Sequence, residues 1–354
     1  MANKSPSSKP YIPSLNGLRA LSVIFVILYH FNSRFPHNVA IQPPWTFPFL
    51  DRYLGVNIFF VISGYLITTL LMKEKELTQS VSLKQFYIRR TLRIFPAYYF
   101  LLAVYALLQL CNVLHFAPLS WLTSLTYTKY FYKSDWETGH LWSLSVEEHF
   151  YLLWPLLFKT FKKYNFLYAV IVIVPVFRLI ANHYNISWMD SLSIFQRGDA
   201  IVFGCLLALH YQKITHWVNR LVSINRLFIL LPLVLLIIVY LAGLPFVKPT
   251  VINGLITAFG NTYGTLANIA IVMIIVISIN SRNWWYKFLN IPAMNFIGKI
   301  SYSLYLWQQL FFSTSLGIFS MFPLNFIAIV CMALFSYYLV ELPFLKIKRR
   351  HEIV

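Results

Sequence analysis

Long apolar runs alternate with short polar connectors along the whole chain. Ten runs are long enough to cross the hydrocarbon core of a bilayer: 15–31, 53–72, 94–111, 141–159, 165–182, 196–212, 227–244, 264–280, 296–316 and 321–341. Each predicts a helix. The stretch 249–263 is apolar too, but Pro249 and Gly254 interrupt it, and it reads as a hairpin or re-entrant piece on the outer face. Segment 73–93 reads as a polar inner loop, with Pro96 at the start of the third span, where proline is tolerated. The longest outer connector, 112–140, holds Trp121, Tyr127, Tyr130, Tyr132 and Trp136. Such a loop suits either a sugar-facing surface or an interfacial aromatic belt. No internal repeat is visible, so an inverted-repeat transporter is not supported.

Composition fits the pattern. The 354 residues are 58% hydrophobic and only 11% charged, whereas a soluble chain carries about 25% charged residues. The formal net charge of +18 does not signal nucleic acid, because the basic residues sit in short clusters between apolar runs. With the N-terminus inside, 21 of the 29 Lys and Arg fall in inner segments, counting Lys159 and Lys299 at the inner ends of their spans, 5 in outer segments and the remaining 3 within spans. This asymmetry puts both termini in the cytoplasm. The polar start MANKSPSSKPYIP argues against a cleavable signal peptide. The expected fold class is therefore all-α: a polytopic integral membrane protein of about ten transmembrane helices around a polar cavity. It divides into a cytoplasmic tail (1–14), a transmembrane domain (15–345) and a basic cytoplasmic tail (346–354). Cys111, Cys205 and Cys331 lie in apolar runs without a CxxC or zinc spacing, so no metal is expected.

Ionisable residues inside the spans carry the candidate chemistry. Arg19 and His30 both lie on the first run, eleven residues apart. Eleven steps of helix return to within about 20° of one face and rise about 16 Å. One rod thus holds a fixed cation toward one leaflet and a titratable imidazole toward the other. His30, Glu147, Glu148, Arg178, Arg197 and Asp199 come from four spans, and the orientation puts them all in the outer half. Such a set is either an ion-pair network that pins helices together or a proton-transfer site, for which imidazole is the best suited side chain. A carboxylate, Glu147 or Glu148, is expected to orient the His30 ring. On the inner side stand Arg19, Arg90 and Arg93, the last two on one helix face. They are either leaflet anchors or a bidentate phosphate site.

These residues lie in recognisable motifs. NGLRALSVIFVILYH, with Arg19, ten residues and then His30, resembles the opening of the membrane-bound acyltransferase-3 family. In register with it follow GVNIFFVISGYLIT (55–68), RRTLRIFPAYY (89–99), HLWSLSVEEHFYLLWP (140–155), RGDAIVFG (197–204), GKISYSLYLWQQ (298–309) and VELP (340–343). The resemblance implies an enzyme that moves acyl groups, most often acetyl, from acyl-coenzyme A to hydroxyls of cell-envelope carbohydrates in the bacterial inner membrane. It implies His30 as catalytic base, with Arg19, Arg90 and Arg93 serving an acetyl-CoA donor. Glu147 or Glu148 would orient the imidazole, and Arg197 or Arg178 would stabilise the oxyanion. A covalent acyl-histidine is the alternative route. Lipopolysaccharide O-antigen, capsule, exopolysaccharide and small glycosides all suit as acceptor. From another class, a transporter or flippase of a glycan precursor would also use buried charges. Two departures stand out: Gln308 replaces a frequent histidine, and His149 replaces a frequent glutamine and is expected to be packed and satisfied. A fused extracytoplasmic hydrolase-like domain, which some members carry, is expected to be absent because the chain ends soon after Glu341.

Overall fold

The computed structural model describes residues 13–34, 53–132, 135–184, 193–242, 264–280 and 282–351. Among them there is no strand. Helices stand at all ten predicted positions: α1 Pro13–Arg34, α2 Leu54–Thr78, α3 Leu83–Leu110, α6 Leu141–Thr160, α7 Phe166–His183, α8 Ser193–Leu209, α10 Leu231–Ala242, α11 Thr265–Asn280, α13 Pro292–Phe311 and α14 Leu324–Phe335. Four helical stretches are long and apolar enough to cross a membrane: Ser14–Arg34, Leu54–Thr78, Leu83–Leu110 and Leu324–Arg349. The described residues are those of an all-helical membrane protein. The stretch 249–263 lies outside the described residues.

Three boundaries differ from the sequence expectation. Segment 73–93 is not a loop. Helix α2 runs on to Thr78 and stops where Gln79 turns left-handed at φ 59°. Helix α3 starts at Leu83, capped by Ser82, whose side chain accepts from the Gln85 backbone N–H. Pro96 therefore lies inside α3, and Arg90 and Arg93 sit roughly two to three turns into it rather than at its mouth. At the other end, α14 passes through a π turn over Ser336–Glu341 into α15, Leu342–Arg349. Residues 346–349, expected in a tail, are helical.

The described parts of connector 112–140, residues 112–132 and 135–140, are folded. They contain α4 (Pro118–Leu125), a 3-10 turn (Lys129–Phe131) and α5 (Trp136–Gly139). Lys129 is fully buried, 3.5 Å from an Asp135 carboxylate oxygen and hydrogen-bonded to Ser120 Oγ. Burial pushes the Lys129 ammonium below its ordinary range, and Asp135 opposes that shift. Two short helices complete the chain, α9 (Tyr211–Ile224) and α12 (Trp284–Leu289).

Two helix pairs frame the bundle: α2 with α8 and α1 with α13. At the first, a Cβ on Gly64 would meet the Ile201 carbonyl oxygen, and one on Gly204 the Val61 carbonyl oxygen. Without a hydrophobic drive between helices in lipid, close backbone approach over small residues supplies the packing. Since the obstacle is backbone, a side chain at residue 64 must part the helices. Gly64→Val is expected to cost at least the ~1–3 kcal/mol of core overpacking. A lowered melting temperature in detergent, followed by fluorescence-detected size exclusion, would report it.

Candidate active site

Helix α1 lies along α13 and presents both of its ionisable residues to it. Near one end, Arg19 shares a cavity with Ser301, Tyr302 and Tyr305 of α13. Near the other, His30 Nδ1 lies 3.0 Å from Gln308 Oε1. Asn16 approaches Gly298 and His30 approaches Gln308, so the two helices run parallel. The shared face read from the eleven-residue spacing is the face that meets α13.

The cavity holds about 240 Å³. One wall is apolar, with Phe59, Phe60 and Ile62 of α2. The other carries Arg19, Arg90 and Arg93 together with Glu147, Glu148 and Lys348. Glu147 is held by hydroxyls: Ser63 donates to Oε1 at 2.9 Å and Tyr151 to Oε2 at 3.2 Å. The Arg90 guanidinium lies over the Tyr151 ring at 5.2 Å. Among the described residues, none of Arg19, Arg90 and Arg93 forms an ion pair or hydrogen bond through its side chain. The adjacent Arg89 differs. It pairs with Glu74 at 2.8 Å and donates to the His351 carbonyl at 3.1 Å, which makes it an anchor between helices.

This arrangement corrects the expected separation of Glu147 and Glu148 from the arginines. The carboxylates stand six and seven residues into α6, about 10 Å below its start, while α3 begins early and raises Arg90 and Arg93 to meet them. All five groups line one cavity. His30 does not line it, and no carboxylate touches His30 among the described residues.

The imidazole has an amide partner instead. Gln308 is fully buried, and with its Oε1 toward the ring the contact suits the tautomer that carries its proton on Nδ1, which leaves Nε2 without a partner among the described residues. Trp136 stands edge-on to the His30 ring with centroids 5.9 Å apart. Its indole N–H is tied to the Gln309 carbonyl at 3.1 Å, and Arg34 lies over its ring at 5.2 Å. Folded connector 112–140 thus closes over the His30 end of α1 and α13. Between His30 and the cavity stand Tyr305 and His140: Tyr305 lines the cavity, and its hydroxyl donates to the His140 carbonyl at 2.9 Å. His140 Nε2 meets the Leu306 carbonyl at 3.1 Å.

Arg197 and Asp199 do not line the cavity either. Asp199 is fully buried and takes Arg178 Nη2 at 2.7 Å, which joins α7 to α8. Arg178 also donates to Thr265 Oγ1 of α11 at 3.3 Å. Arg197 lies over the Tyr53 ring at 3.1 Å and faces Trp142 at 4.8 Å. His149 is packed and satisfied, its Nδ1 2.7 Å from the Ser145 carbonyl.

Three residues near the candidate site do not stand out in the sequence. Gln308 shows there only as a departure from the family pattern. Glu341, buried at the end of the π turn, accepts from Ser303 at 3.0 Å and lies within electrostatic reach of Arg93 and Arg19. Lys348 lines the cavity from α15. π turns cluster at functional sites, but their one-residue register shift leaves no pattern in an apolar run.

An arginine-lined cavity built from α1 and α3, with an imidazole farther along α1, is the candidate site of this membrane protein. The chain belongs to the acyltransferase 3 family, whose acyltransferase domain matches residues 12–342. It is 30% identical over 335 residues to peptidoglycan O-acetyltransferase OatA of Listeria monocytogenes, covering 85% of this chain and 49% of that protein. It is 31% identical over 332 residues to O-acetyltransferase OatA of Staphylococcus aureus, covering 85% and 50%. The chain thus spans about half the length of these relatives. No solved structure matches it.

Proposed function

We propose that this protein is an O-acyltransferase of the bacterial plasma membrane. It moves an acyl group, acetyl by the names of its relatives, from acyl-CoA to a hydroxyl of a cell-envelope carbohydrate. Lipopolysaccharide O-antigen, capsule and exopolysaccharide are acceptors of the same chemistry; the relatives' names favour a peptidoglycan-type glycan. About ten spans with both termini in the cytoplasm, as the Lys and Arg distribution favours, would open the arginine cavity toward the donor and put His30 on the acceptor side.

The observation that carries the proposal is the His30–Gln308 contact, which leaves Nε2 able to take a proton. In direct transfer the sugar hydroxyl attacks the thioester carbonyl as His30 removes its proton. A C–O bond forms, the C–S bond breaks, and the proton passes from His30 to the departing thiolate. Arg19, Arg90 and Arg93 would hold the donor phosphates, since guanidinium groups that meet no acceptor among the described residues suit bidentate phosphate. Gln308 takes the orienting part first assigned to Glu147 or Glu148. The test is mass spectrometry of envelope glycans from cells with and without the gene. Acetyl increments that vanish on deletion, with polymer quantity unchanged, are expected. Loss of the whole polymer would instead mark export of a precursor.

A further inference from the structure

Glu148 differs from Glu147, which lines the cavity with it, and from Glu341, which lies off the cavity wall. Glu147 receives Ser63 and Tyr151, and Glu341 receives Ser303. Glu148 lines the same cavity, yet it accepts no hydrogen bond from any described residue, and its Oε1 is sealed from solvent without a partner. No described cation forms an ion pair with it. A buried carboxylate without donors is costly, and a charge-assisted N–H is the strongest remedy.

The surroundings narrow what brings that N–H. Three guanidinium groups that meet no acceptor among the described residues ask for an anionic end. Phe59, Phe60 and Ile62 ask for an apolar stretch. The bare carboxylate asks for a neutral donor beside them. An acyl-phosphopantetheine arm carries all of these parts: a phosphate, a dimethyl-bearing carbon, two amide N–H groups and the thioester. We infer that Glu148 accepts one amide N–H of the donor's pantetheine arm and so sets how far the thioester extends past Tyr305 toward His30. Glu148 is then a positioning residue for the donor, not an orienter of imidazole. The inference rests on the acyl-CoA donor proposed above.

The test is a chemical mutant cycle on the full chain in detergent or nanodiscs. Acetyl-CoA and S-acetyl-pantetheine are compared with acetyl-pantetheine analogues in which each amide N–H is replaced in turn by an ester oxygen. For the wild-type protein, one of the two replacements is expected to lower kcat/KM by roughly tenfold or more, the scale of a hydrogen bond to a charged group. Glu148→Leu is expected to lose a similar factor with both acetyl-CoA and acetyl-pantetheine, and then to use that ester analogue as well as the amide. Arg90→Gln should affect acetyl-CoA more than acetyl-pantetheine, which separates phosphate contacts from arm contacts. Equal use of ester and amide by the wild type, or losses that multiply in Glu148→Leu, would overturn the assignment of Glu148 alone. No transfer from acetyl-CoA by the wild type would overturn the donor proposal and this inference with it. If Glu148→Leu does not fold, the analogue series on the wild type still decides.

Discussion

Replacing His30 by alanine is expected to lower acetyl transfer by about 10²–10⁴-fold, the range contributed by a positioned general base. The protein should remain folded, because the ring is only partly buried and its side chain makes one hydrogen bond among the described residues, to Gln308. Among the described residues no other group is placed to substitute. His140 has its Nε2 engaged by the Leu306 carbonyl, and its Nδ1 is sealed inside the protein. The carboxylates Glu147 and Glu148 open into the cavity, not toward His30. The assay is transfer of labelled acetyl from acetyl-CoA to a glycan oligomer, run beside size exclusion and thermal unfolding of the same preparation. A folded His30→Ala protein that transfers within a few-fold of wild type would remove His30 from the chemistry. Gln308→Leu is the companion variant. An apolar isostere keeps the packing but leaves either imidazole nitrogen free to carry the proton. A drop in kcat with little change in KM is then expected, and Gln308→His, which can still accept from Nδ1–H, should restore part of it.

How much of this site the sequence could reveal depends on whether each feature is local. The Arg19–His30 alignment is helix periodicity alone, and α13 confirms it by meeting both ends of that face. The apolar runs located the helices for the same reason. The Gln308 contact spans 278 positions in sequence and depends on the register of α1 against α13, which no local pattern encodes. The grouping of Glu147 and Glu148 with the arginines was legible in principle. Ser82 followed by Gln85 is a capping-box spacing, and Ser82 does accept from the Gln85 N–H. Read as a helix start, it would have lifted Arg90 and Arg93 into the bundle. The polar composition of 73–93 masked that signal because Glu74, Arg89 and Ser82 spend their polarity on one another. Orientation arithmetic gave Asp199 and Arg178 the same depth as His30, but depth does not say which side of a helix a residue occupies.

That distinction can be measured at Asp199. Its carboxylate is fully buried, paired with Arg178 at 2.7 Å and supported by the Ala200 N–H at 3.1 Å. Because Arg178 also reaches Thr265, the pair ties α7, α8 and α11 together. Removing one partner of a buried pair leaves an uncompensated charge, at a cost of about 3–5 kcal/mol. Asp199→Leu is therefore expected to lower the melting temperature and the yield of monodisperse protein, with activity per folded molecule falling far less than in His30→Ala. Replacing both partners with apolar residues of similar size, Arg178→Met with Asp199→Leu, should recover most of the stability, since well-packed hydrophobes commonly equal a buried ion pair. The double variant separates pinning from chemistry. If it folds as wild type and still transfers acetyl, the pair holds helices in place and Asp199 has no part in the reaction. If it folds but is inactive, Asp199 or Arg178 acts on the reacting groups despite lying off the cavity wall, and the oxyanion role first read from the sequence would stand.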